Sequence, residues 1–268
     1  MLSWPPGDRC PEAEWFRARP FGANPADLDI DFHQSAIPTL VTRLLLGTLV
    51  RRDGTAFSSK EVWQWTLARR MQALLAVVVA TSGRRLPLQL NCSRSACREF
   101  IELEIDLFGF VTPAVIGPLV FRPSPDAEVS IRLPTGDDQR NWLQDESAEF
   151  TRERLATRLV TGINGHAVPD DWTLPAVWLA PMSHELGLHD PLMDLQLDTC
   201  CPSCGSELAM ELDLEATLLA VLAHQQQCLL DQIHCLASVY HWSESEIVAL
   251  PAQRRQYYLR RLTQGAAR

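Results

Sequence analysis

The chain of 268 residues lacks any long apolar run. Its longest, Leu74 to Ala80, is far too short to span a bilayer, so no membrane insertion is expected. The opening MLSWPPGDRC places two prolines and an aspartate where a secretory signal needs hydrophobic residues, so we expect a reducing cytosol as the first environment. Positive charge is in deficit: 24 basic side chains face 33 acidic ones, a formal net charge of −9. Such a surface repels nucleic acid and anionic membranes in general. Catalytic signatures are also missing. There is no GxSxG, and Gly47, Gly54 and Gly83 compose no phosphate loop. His184 and His189 stand five apart, where a zinc peptidase helix needs four, and Pro181 and Pro191 bracket them. We read that segment as a proline-bounded loop. With no nucleophile–base pair and no open metal constellation in view, the expectation is a protein that is not an enzyme and takes no small-molecule substrate.

What remains is the composition of a folded chain. At 46% hydrophobic residues it can bury a sizeable core, and 18 Pro and 13 Gly fall far short of a collagen or a disordered tract. Residues 1–35 show no sustained period and read as an extended arm or irregular cap. A helix is predicted over Ile37–Leu49. A second begins near Ser59, capped by Ser58 or Ser59, and carries Val62, Trp65, Leu67, Met71, Leu74 and Leu75 to a stop at Gly83. Leu86, Leu88 and Leu90 then alternate with polar residues, as do Ile101, Leu103, Ile105 and Leu107, which predicts a hairpin. Val129–Leu133 is a further strand. Thr135 and Asp138 resemble a capping box opening a helix to about Val160. A soft boundary falls in the turn-rich stretch after it. Leu195 and Leu197, then Leu208, Met210, Leu212 and Leu214, describe a second β unit, followed by a long helix from near Asp213 to Tyr240. Ser243 and Glu246 cap a short helix, and Pro251 opens a last one.

The two β units look like copies of each other. LQLNCSRSACREFIELEIDL from Leu88 and LQLDTCCPSCGSELAMELDL from Leu195 align at a constant offset of 107. Each encloses cysteines. Cys201-Pro-Ser-Cys204-Gly has the two-residue spacer that aims both sulfurs at one ion, with a glycine for the tight turn. Cys92 and Cys97 supply the other half of a tetrahedral site. The expectation is one structural Zn2+ held by Cys92, Cys97, Cys201 and Cys204, with Cys200 as a substitute for Cys201. Merely buried thiols and a redox or iron–sulfur site are the alternatives. Cys228 and Cys235 lie near His224 and His234 on one helix and read as core cysteines; Cys10 has no visible partner.

The carboxy-terminal stretch is the most individual. His234, Leu236, Ala237, Tyr240, Trp242, Glu246, Ile247, Leu250, Pro251, Arg254, Arg255, Tyr258 and Leu259 follow the frame helix, Tyr-x-Trp, capped short helix, Leu-Pro, Arg-Arg-x-x-Tyr-Leu. This resembles the T4-type bacteriophage baseplate (hub assembly) protein family, also found in contractile injection systems. The resemblance covers about 30 residues clearly. It implies docking to other baseplate, hub or tail proteins, not catalysis. It also implies residence in the bacterial cytoplasm during assembly, with retention in the virion or baseplate left open. Trp242, Arg254, Arg255, Tyr257 and Tyr258 are the expected partner-binding residues, since forked donors beside aromatic area suit interfaces.

The resulting expectation is an α+β fold: duplicated cysteine-bearing β-hairpin units around a structural zinc, with flanking helices and a C-terminal helical module. Three stretches compose it: 1–35 as the arm, 36–165 with the first cysteine hairpin and a long helix, and 166–268 with the second hairpin and the helical module. A transient tail assembly chaperone and, below it, a zinc-ribbon nucleic-acid-binding protein are the competing functions.

Overall fold

A computed structural model describes residues 16–33, 35–110, 117–144, 151–193 and 195–265. Cys10 lies outside the described residues. The fold is α+β and all its sheets are antiparallel.

Three helices build the main core. Helix α1 (Ile37–Thr48) and α3 (Leu67–Ser82) cross each other through Val41, Leu44, Leu45, Leu74, Leu75 and Val78, all at most 1% exposed. Each such side chain contributes roughly 1.5–3 kcal/mol by leaving water. The first turns of α7 (Leu214–Tyr240) close the cluster with Leu214, Leu218 and Leu222. Residues on both sides of position 165 therefore share one core. The stretch 1–35 contributes to it as well. Strand β1 (Phe16–Ala18) pairs with β2 (Leu49–Arg51), and Ala18, Phe21 and Ile30 are buried. Asp27, 2% exposed, holds this segment down by accepting both Arg19 guanidinium nitrogens at 2.6 Å and the Gly22 N–H at 2.7 Å. From residue 16 onward the supposed arm is folded structure.

The helix expected from Ser59 onward is broken. A capping box between Ser58 and Glu61 opens α2 (Ser59–Gln64), but Trp65 and Thr66 are extended. The Thr66 side chain accepts from the Arg69 N–H and starts α3 afresh. The break has a tertiary use: the Leu67 N–H reaches Pro134 O, and the Gly136 N–H reaches Trp65 O. Val77, Val78 and Val79 stay helical despite their β-branching because all three are buried in the core. Gly83, at φ 92°, ends the helix in a backbone conformation that suits glycine.

Arg70 is 1% exposed within this core. It donates to Thr42 Oγ1, Val62 O and Pro38 O at 2.7–3.1 Å, tying α1, α2 and α3 together. Burial lowers its pKa to about 10, opposed by the Glu215 carboxylate.

Between the two hairpins sits a second layer with its own core. Strands β5 (Leu119–Ser124), β6 (Ala127–Ile131) and β7 (Val160–Ile163) pair in that order. Helices α4 (Gly136–Gln144), α5 (Arg152–Thr157) and α6 (Leu179–His189) accompany them. Val129, Ile131, Leu159, Val160, Leu174 and Met182 form the cluster. Two expectations are corrected here. The helix from Thr135 does not run on to Val160, which is a strand residue; Thr151 caps a separate short helix, and 145–150 lie outside the described residues. The segment around His184 is helix α6, not a loop. Pro181 falls in its first turn, where no intrahelical donor is needed, and Met182 is buried beneath it.

The last module packs the end of α7 against α8 (Glu244–Ala249) and α9 (Ala252–Gly265) through Leu229, Ile233, Leu236, Ile247 and Val248. His241 takes the left-handed conformation at the end of α7, φ 56°, and the box between Ser243 and Glu246 restarts the chain as α8. Among the described residues no helix is long and apolar enough to cross a membrane.

Candidate metal centre

The centre is built from two hairpins. The first is β3 (Arg85–Asn91) with β4 (Phe100–Asp106); the second is β8 (Leu195–Cys200) with β9 (Glu207–Leu212). Alternation gives each an apolar inner face, so Leu90 and Ile101 of one and Leu208 of the other pack into a small common cluster with Cys92 and Cys201. The outer faces carry Glu102, Glu104 and Asp106 on one hairpin and Asp198, Glu207 and Glu211 on the other, all exposed.

The register corrects the repeat read from sequence. Asn91 pairs with Phe100, and Cys200 pairs with Glu207. The second strands correspond at the offset of 107, but the first strands correspond at 109. LQL of one hairpin is therefore displaced by two residues from LQL of the other. Because side chains alternate with period two, the shift leaves the inner face inside. The displacement is absorbed in the loops: four residues separate Cys92 from Cys97, and two separate Cys201 from Cys204. Cys92 is thus the counterpart of Cys201, and Cys97 of Cys204.

The four sulfurs lie within 4.8 Å of one another. Cys92 Sγ is 3.7 Å from Cys204 Sγ, and Cys97 Sγ is 3.8 Å from Cys201 Sγ. Each of these pairs joins one cysteine of the first hairpin to one of the second. A tetrahedral ion with bonds of about 2.3 Å to sulfur sets its ligands about 3.8 Å apart, so the spacing fits one ion. It is far from the ~2.05 Å of a disulfide.

The loops also solvate thiolates. Backbone N–H groups two residues on point at three of the sulfurs: Arg94 at Cys92, Glu99 at Cys97 and Ser206 at Cys204. The residue after the second cysteine takes positive φ in both loops, Arg98 at 51° and Gly205 at 68°, which turns the next N–H inward. Electrostatics within the quartet are unequal. The Ser206 hydroxyl and N–H hold Cys204 down to about 6. At Cys97 the Glu99 N–H favours the thiolate, but burial and the neighbouring cysteine sulfurs outweigh it and push the thiol up to about 12. Cys92 is also raised: the Arg94 N–H acts against this, and burial with the Cys204 and Cys201 sulfurs prevails. Four crowded thiols do not all ionise by themselves; a cation among them reverses that balance. The quartet is therefore compatible with a metal ion in donor chemistry and in geometry.

Cys92, Cys97, Cys201 and Cys204 are brought together as expected, while Cys200 is exposed on the opposite strand face and takes no part. Cys228 stands 3.5 Å from His224 Nε2 on α7, with no further metal ligand beside them among the described residues; it is half-buried and Cys235 is exposed, so the two are not core cysteines. His189 pairs with Glu185 at 3.0 Å along α6. In the C-terminal module, Trp242 stacks on Tyr240 at 4.7 Å, and Tyr258 meets both rings edge-on. Arg255 turns inward onto Val248 O and Leu250 O, whereas Arg254 and Tyr257 are exposed. The supporting N–H donors and Ser206 were not anticipated; the glycine after Cys204 was their only trace in the sequence. Comparisons with known protein families, with curated proteins and with solved structures find no match.

Proposed function

We propose that this chain is a non-enzymatic, phage-tail-like baseplate component or baseplate assembly factor, stapled by one structural Zn2+ and docking to other tail proteins. The observation that carries the reading is the C-terminal element from His234 to Leu259 and its resemblance to the baseplate family. Its aromatic residues Tyr240, Trp242 and Tyr258 interlock, so they organise the module. That leaves α9 to present Arg254, Tyr257, Arg260 and Arg261 outward, on a helix without a single acidic residue. Such a surface suits an acidic partner. Zinc is favoured for the quartet because four thiolates in a closed tetrahedron suit a structural zinc ion. The exposed carboxylates on both hairpins disfavour the zinc-ribbon alternative with a nucleic-acid ligand.

The test is assembly. Arg254→Glu with Arg260→Glu changes only exposed side chains, so the variant is expected to fold and load metal normally and yet to lose co-purification with tail proteins. Normal particle yield from this variant refutes the docking role. Mass spectrometry of purified particles separates a resident component from a chaperone, which leaves before maturation.

A further inference from the structure

Helix α7 carries a second set of metal-ligating side chains, outside the cysteine quartet. His224, Cys228, Asp231 and Cys235 follow one another at steps of four, three and four residues. At about 100° per residue these steps keep all four within an arc of about 60°, a single narrow stripe along the helix. The opposite face carries Leu222, Leu229, Ile233 and Leu236, all buried. The stripe is open: His224, Asp231 and Cys235 are exposed and Cys228 is half-buried.

Two of the four are already placed as a pair of ligands. Cys228 Sγ stands 3.5 Å from His224 Nε2. A tetrahedral zinc ion with bonds of about 2.3 Å to sulfur and about 2.05 Å to nitrogen holds such a pair about 3.5 Å apart. The separation across one turn of helix is thus the bite of one ion. The clamp is incomplete within one chain. Among the described residues the quartet is the one group of three or more ligands whose atoms converge, and Asp231 Oδ1 accepts from Gln227 Nε2 at 3.1 Å. A closed zinc site takes four ligands. A two-fold contact presents the same patch from both partners, so a second α7 laid against the first supplies the missing histidine and cysteine. Little else on this helix drives association. Val239 is the one large apolar side chain exposed on α7, and Asp231 brings like charges together. The contact therefore depends on the ion.

We propose that His224 and Cys228 from two copies of this chain hold one zinc ion between them, so that zinc joins the copies through α7. Each Cys228 gives its thiol proton to water as the sulfur binds, and two protons leave for each ion taken up. The site is separate from the quartet and does not rest on a role in tail assembly. It fills at higher free zinc than the quartet, because two chains must first give up their independent motion.

Sedimentation velocity and metal analysis of the untagged, reduced full chain in a series of zinc buffers test it. Beyond the free zinc that fills the quartet, bound metal is expected to rise by about 0.5 equivalent per chain as monomer gives way to dimer. EDTA reverses the step. His224→Ala and Cys228→Ser are each expected to abolish both the added half equivalent and the dimer. Cys235→Ser, on the same stripe but outside the clamp, leaves both unchanged. A quartet that fails to hold zinc lowers the first equivalent in every variant and leaves the difference between the parent chain and His224→Ala intact. A chain that stays monomeric at free zinc about a thousandfold above the quartet's requirement overturns the proposal. So does a zinc-dependent dimer that survives both substitutions, or a full added equivalent taken up without dimerisation.

Discussion

The cysteine quartet makes a thermodynamic demand that can be measured without knowing the function. Four sulfurs with paired separations of 3.7 and 3.8 Å enclose room for a single ion. If folding creates that site, free metal stabilises the chain as RT ln(1 + [M]/Kd), because the unfolded chain holds its cysteines apart. Above the dissociation constant, each tenfold rise in free zinc then adds about 1.4 kcal/mol to the unfolding free energy. Two independent ions would double that slope. The assay is urea unfolding under reducing conditions in a series of metal buffers, with X-ray absorption on the loaded protein to count sulfur ligands near 2.3 Å. Cys201→Ser is expected to cost more affinity than the roughly 10- to 100-fold typical of a lost supporting hydrogen bond. Cys200→Ser, exposed and outside the quartet, is expected to cost none. Ser206→Ala removes the hydroxyl 3.3 Å from Cys204 and belongs in the supporting class. A flat dependence of stability on free zinc, or equal losses for Cys200→Ser and Cys201→Ser, would show that the reasoning from these distances is wrong.

Other outcomes follow from the buried polar groups. Asp190 is 3% exposed and burial lifts its pKa to about 6 from 3.8, against partial relief by the Leu192 and Ala68 N–H groups. The folded state therefore binds a proton that the unfolded state has lost between those values, so stability falls by about 3 kcal/mol in all as pH rises from about 3 to about 7 and is level beyond; in Asp190→Asn that slope should be absent from pH-dependent unfolding. Gly136→Ala sets a Cβ 2.6 Å from the Arg70 guanidinium, which three acceptors hold in place, and is expected to cost about 1–3 kcal/mol in thermal unfolding. Arg255→Glu loses the bonds to Val248 O and Leu250 O and destabilises the last module by about 1–2 kcal/mol, whereas Arg254→Glu leaves the unfolding midpoint unchanged.

Much of this molecule was readable from neighbouring residues alone. Period-two alternation announces β3, β4 and β9, because each strand has one wet and one dry face. The boxes at Ser58–Glu61, Thr135–Asp138 and Ser243–Glu246 form as their spacing requires, because capping is satisfied within four residues. Cys201-x-x-Cys204 is likewise a local geometry. Other features depended on distant parts of the chain. The break at Trp65–Thr66 is stabilised by Pro134 and Gly136, some seventy residues on. Helix α6 forms around its prolines because Met182 has a sheet to bury against. The two-residue displacement between the hairpins is invisible in an alignment that keeps leucine over leucine, since a shift by two preserves the pattern. Alternation and capping are short-range physics, and the sequence by itself determined the hairpins, most of the helix starts and the identity of the four thiols. Which thiols face which and what Arg70 holds together are contacts between segments far apart along the chain, and only the packing of the core brought those segments together.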